Sequence, residues 1–121
     1  MGSESPPAVG VNRRRHERAI YRDPVQVTFV GSPDQRIHAL LAEDVSESGL
    51  ALNAPEFFAI GSRLFLDLEV MEVPAPIRLI GIVMWIRQDG YQDRYRIGVQ
   101  FEEVSAEGRD QLRALVAARA S

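Results

Sequence analysis

The chain has 121 residues, enough for one domain around one core, and its 45% hydrophobic and 26% charged residues are ordinary for a soluble globular fold. The absence of cysteine excludes disulfides, thiolate nucleophiles and cysteine metal sites together, and no apolar run is long enough to span a bilayer. The net charge of −3 hides an asymmetry: residues 13 to 22 hold five arginines and one acid, a local +4 that leaves −7 on the rest.

The opening "MGSESPPAVG" has no hydrophobic stretch, so it does not read as a secretory signal, and residues 1–12 are expected to form a flexible leader of a cytoplasmic protein. The arginine segment 13–22 follows. Between Asn12 and Ala19 this arm offers no apolar anchor, and around Arg13 to Arg18 it is expected to be mobile. A barrel is expected over residues 23–103, because from there period-two alternation dominates. "VQVTF" sets Val25, Val27 and Phe29 against Gln26 and Thr28. "HALLAEDV" is more apolar and ends near Asp44, and "GLALN" is short. "RLFLDLEV" places Leu64, Leu66, Leu68 and Val70 on one face. "IRLIGIVMWIR" puts Ile80, Ile82, Met84 and Ile86 on one side and Leu79, Gly81, Val83 and Trp85 on the other. "YRIGVQF" alternates Tyr95, Ile97, Val99 and Phe101 with Arg96, Gly98 and Gln100. Turn-forming stretches separate these runs, among them "GSPDQ", "SESG" and "QDGYQD".

The period changes over 105–119, where Leu112, Leu115 and Val116 recur at helical spacing, Ser105 can cap the start and Glu107 suits the first turn. The expected architecture is therefore mainly β: a six-stranded antiparallel barrel, closed to remove exposed edges, with one C-terminal α-helix lying over part of it.

Two short motifs carry chemistry. Arg14 and Arg18 form R-x-x-x-R, preceded directly by Arg13, and Asp44, Ser46 and Gly49 form D-x-S-x-x-G. On extended chain Arg14 and Arg18 stand roughly 13–14 Å apart, enough to grip a dinucleotide-sized object from two sides. All 14 basic residues are arginines, whose planar fork suits phosphate and base edges. An arginine fork matches the N7 and O6 acceptors of guanine, and a carboxylate, acceptor only, matches the donors on its other edge.

The two motifs in this order, with the surrounding strands, resemble the PilZ domain family, from about Arg13 to the final helix. That resemblance implies a six-stranded barrel that binds the bacterial second messenger cyclic di-GMP. It points to Arg13, Arg14, Arg18, Asp44, Ser46 and Gly49 as ligand-binding residues and to Trp85 as a further contact, with two ligands per chain implied by the R-R-x-x-x-R form. It also implies an unidentified downstream protein, with no polynucleotide and no membrane as partners, and neither metal nor cofactor beyond the ligand. Of the other arginines, Arg15 and Arg22 read as solvated charges or partners of Glu17 and Asp23.

Three other readings fit the sequence less well. An enzyme lacks support, since His16 and His38 have no metal-ligand spacing and Ser46 sits in no nucleophile motif. A small barrel binding nucleic acid would use the arginines but leave Asp44 without a role, because carboxylate repels phosphate. A PilZ-type adaptor that binds only protein would not need both motifs.

Overall fold

The computed structural model describes residues 18–31, 33, 36–69, 76–88 and 94–119. Among them the elements in chain order are β1 (Ala19–Ile20), β2 (Pro24–Phe29), β3 (His38–Val45), β4 (Gly49–Ala54), β5 (Arg63–Leu68), β6 (Ile77–Gln88), β7 (Tyr95–Glu102) and the helix α1 (Ala106–Arg119). Strands β2 to β7 run antiparallel in the order β3-β2-β5-β6-β7-β4, and β4 pairs back with β3 to close a six-stranded barrel. The expected alternation fills it: Val25, Val27, Leu64, Leu66, Leu68, Ile97, Val99 and Phe101 are buried in one core. Expected partner Val70, and the arginines Arg13 and Arg14, lie outside the described residues.

Helix α1 buries Leu112, Leu115 and Val116 and lies on β6 and β1. Ser105 caps it, its Oγ accepting a hydrogen bond from the Gly108 amide at 3.0 Å. At the far end Arg119 donates to Asp23 Oδ2 at 2.8 Å and stands 5.4 Å from the centre of the Tyr21 ring.

Those contacts bear on the arginine segment. Strand β1 is additional to the six expected, and it lies within residues 13–22, upstream of the expected barrel start. Ala19 and Ile20 pair with Val45 and Asp44, on the edge of β3 that further along pairs with β2. Tyr21 is fully buried and its hydroxyl donates to the Glu69 carbonyl at 2.9 Å. Burial of Ala19 and Tyr21 therefore fastens the chain to the barrel just after Arg18. Asp23 pairs with Arg119 across the fold and not with its neighbour Arg22.

Two bulges decide which side chains face outward. In β3 the register shifts at Glu43: Ala42 faces Leu52, while Asp44 faces Ala51. In β6 it shifts at Met84: Val83 faces Val99, while Trp85 faces Gly98. Strict alternation would send Asp44 inward after Leu40 and Ala42, and Trp85 inward after Leu79, Gly81 and Val83. One extra residue in each strand reverses that, so Val45 and Ile86 pack inward and Asp44 and Trp85 point out.

Candidate functional site

The re-aimed side chains fall on one line. Asp44 pairs with Ala51, Ala51 with Gly98, and Gly98 with Trp85, across β3, β4, β7 and β6. At an inter-strand spacing of about 4.8 Å, three steps set the two ends roughly 14 Å apart over a floor of two small residues. Trp85 is 38% exposed, an outer-face aromatic and not a core one. A Cβ on Gly98 would come within 2.1 Å of the Trp85 ring, so the indole lies directly on the glycine backbone. The Arg87 guanidinium stands 5.3 Å from the ring centre.

At the other end Arg18 grips Asp44. Its Nε donates to Asp44 Oδ1 at 2.8 Å, Nη2 reaches the same oxygen, and Nη1 donates to Ser46 Oγ at 3.4 Å. Both motifs are thus joined through Arg18, Asp44 and Ser46. Asp44 is half-buried and Arg18 half-exposed, and an ion pair so open to solvent is worth only ~0.2–1 kcal/mol. Arg18 can leave Asp44 for a better acceptor at little cost.

Ser46 also has a structural role. It is fully buried, and its Oγ accepts from the amides of Ser48 and Gly49, each at 3.2 Å. The hydroxyl shapes the turn that carries the motif. Gly49 is required by close packing and not by an unusual backbone conformation. Its φ is ordinary, but a Cβ there would meet the Val99 carbonyl oxygen at 2.3 Å. Glycine is needed because β7 passes against it.

The site extends to residues that local motifs do not reveal. Arg96, on β7, places Nη2 3.6 Å from Asp44 Oδ2 and Nε 2.8 Å from Glu43 Oε1, the latter off the hydrogen-bond axis. Asn53 joins Glu43 to Arg94, donating to Glu43 Oε2 at 3.2 Å and accepting from Arg94 Nε at 2.7 Å. Beside this chain lies a cleft of about 630 Å³ lined by Ile20, Arg22, Leu41, Ala42, Glu43, Asp44, Asn53, Arg94 and Arg96. Alternation already sets Arg96 opposite the core residues of its strand, but its nearness to Asp44 depends on β4 lying between β3 and β7.

Among the described residues no three histidine or carboxylate side chains cluster as a metal site, and no helix is long and apolar enough to cross a membrane. The family model for the PilZ domain matches residues 12–118. The chain belongs to the PilZ domain family. No curated protein matches it in sequence. Solved structures share this PilZ fold at low identity. The Bacillus subtilis inhibitor of motility MotI/DgrA is 21% identical with a TM-score of 0.72, over 88% of this chain and 50% of that one. The PilZ domain of YcgR from Escherichia coli, solved with cyclic di-GMP, is 18% identical with a TM-score of 0.63, over 88% of this chain and 91% of that one. PlzA of Borreliella burgdorferi, in complex with cyclic di-GMP, is 19% identical with a TM-score of 0.59, over 90% of this chain and 43% of that one. The chain thus spans about half the length of MotI/DgrA and nearly all of the YcgR domain.

Proposed function

We propose that this PilZ domain is a receptor for cyclic di-GMP with no catalytic step of its own. The observation that carries the proposal is the outward row from Asp44 to Trp85, with Arg18 resting on the carboxylate. Asp44 offers acceptors to the N1 and amino donors of guanine, and the Arg14 and Arg18 forks suit its N7 and O6 or the phosphates. Trp85, supported from below by Gly98, offers a face on which a base can stack, worth ~1–3 kcal/mol. Ser46 and Gly49 hold the turn in place. The complexes of YcgR and PlzA with the same ligand support the reading.

Binding then proceeds by exchange. The dianionic ligand takes Arg18 from Asp44 and frees the carboxylate for guanine. It also draws residues 13–18 onto the barrel face, and arm plus ligand form a surface that a downstream protein reads. Arg13 supplies the extra cation for a second ligand per chain.

Calorimetric titration tests this directly. Cyclic di-GMP should bind, near −8 kcal/mol if the affinity is micromolar, and cyclic di-AMP, whose adenines lack the N1–H and 2-amino donors of guanine, should bind far more weakly. Equal affinity for the two would refute base reading by Asp44. Amide hydrogen exchange on residues 12–18 should slow on binding, and unchanged exchange would remove the arm from the relay.

A further inference from the structure

We infer that helix α1 exchanges between copies of this chain, leaving its own barrel to take the same place on a second one, so that in the resulting dimer each helix covers the other barrel. The observation behind this is the short connection from β7 to α1. Only Glu103, Val104 and Ser105 stand between Glu102 and Ala106. Glu103 has a φ of 49°, the one non-glycine residue with positive φ among the described residues. In that region Cβ crowds a neighbouring carbonyl oxygen, so a glutamate adopts it uncommonly. Nothing local compensates. The Glu103 side chain is exposed and makes no hydrogen bond or ion pair with the described residues. The bend is therefore imposed by the helix, which must turn back to reach β6 and β1 of its own barrel.

What holds the helix does not require a shared chain. Leu112 and Leu115 are fully buried and Val116 is nearly so. Arg119 donates to Asp23 Oδ2 at 2.8 Å, and Arg113 Nε stands 3.5 Å from Glu47 Oε1. A second copy offers the same groove, the same Asp23 and the same Glu47, so these contacts are all remade in the exchanged pair. Only the connection differs. With Glu103 in an ordinary extended conformation, residues 103–105 span roughly 10 Å and lead away from the parent barrel. A short hinge whose closed form is disfavoured is an arrangement that invites exchange.

The groove that a departing helix leaves fits one occupant. The stripe of Leu112, Leu115 and Val116 must be buried, and another α1 matches the groove in spacing and in the Arg119–Asp23 pair at its end. Exchange also changes what each motif touches. Glu47, inside the D-x-S-x-x-G turn, then meets the helix of the other chain.

Sizing chromatography with light scattering, over a rising series of protein concentrations, compares the unmodified chain with Glu103→Gly and Glu103→Pro. Glycine adopts a φ of 49° freely, and proline, held near about −65°, cannot. The unmodified chain should form a dimer, its Kd rising by at least about tenfold in Glu103→Gly and falling by at least about tenfold in Glu103→Pro. Cross-linking separates exchange from contact between outer faces. The chain has no cysteine, so Asp23→Cys and Arg119→Cys each place a single thiol, one on either side of the helix–barrel contact. The two variants, unfolded and refolded together, should be joined by a short bis-maleimide into a dimer that neither gives alone on a denaturing gel. An unmodified chain that stays monomeric at every concentration would overturn the inference. Equal dimerisation of Glu103→Gly and the unmodified chain would also overturn it, as would a dimer without the cross-link. Should Glu103→Pro fail to fold by circular dichroism, the Glu103→Gly comparison and the cross-link still decide.

Discussion

Gly98→Ala isolates the support beneath Trp85. The added methyl would lie 2.1 Å from indole atoms Cε2 and Nε1. Carbon contacts settle near 3.5 Å or more, so the ring must lift by roughly 1.5 Å. Because Trp85 is on the outer face, it can swing into solvent instead of pushing the barrel apart. Forcing such a contact costs about 1–3 kcal/mol, and replacing glycine in a strand returns about 0.4–1 kcal/mol, so the net destabilisation should be ~0–2.5 kcal/mol. Ligand affinity should suffer more. If the ring stacks on guanine, the loss is about 1–3 kcal/mol, or roughly 5- to 150-fold in Kd. Trp85 is the single tryptophan of the chain, so its fluorescence reports its own surroundings. Emission should shift to the red and quenching by acrylamide should rise. Urea melts of Gly98→Ala in the Trp85 and Trp85→Ala backgrounds separate the causes. The stability cost should vanish once the indole is gone. An equal cost in both backgrounds would refute the stacked arrangement of Trp85 on Gly98.

Other expectations follow from the same geometry. Arg18→Ala and Asp44→Ala should each weaken cyclic di-GMP binding by about 1.5–3 kcal/mol with the melting transition nearly unchanged, since their mutual pair contributes little to stability; circular dichroism with calorimetry checks both. Ser46→Ala removes a buried acceptor serving two amides and should lower stability by about 1–3 kcal/mol, read from urea denaturation. Gly49→Ala should disturb pairing of β4 with β7, visible as faster amide exchange in both strands, because its Cβ would meet a backbone carbonyl that cannot turn aside. Arg13→Ala should shift the stoichiometry of titration from two ligands toward one.

Much of the barrel was legible in the sequence because a strand with one buried face repeats every second residue. Leu64, Leu66 and Leu68, and Ile97, Val99 and Phe101, fall inward as their alternation requires. The helix was equally legible from Leu112, Leu115 and Val116. Strand β1 was not, since Ala19 and Ile20 are too few to show a period and lie in a charged context. What holds them is the buried ring of Tyr21, under Arg119 from the far end of the chain.

The sequence by itself determined the fold class and the two motifs, because alternation and close spacing are local properties of the chain. Which way the site residues point was decided only in three dimensions. By alternation Trp85 belongs with Leu79 and Val83, on the core side. A bulge is one unpaired residue, and it is visible only against the partner strand. At Met84 against β7 it turns Trp85 outward, and at Glu43 against β4 it turns Asp44 outward. The approach of Arg96 to Asp44 is likewise a matter of strand order: residues 52 apart in sequence come within 3.6 Å because β4 alone separates their strands.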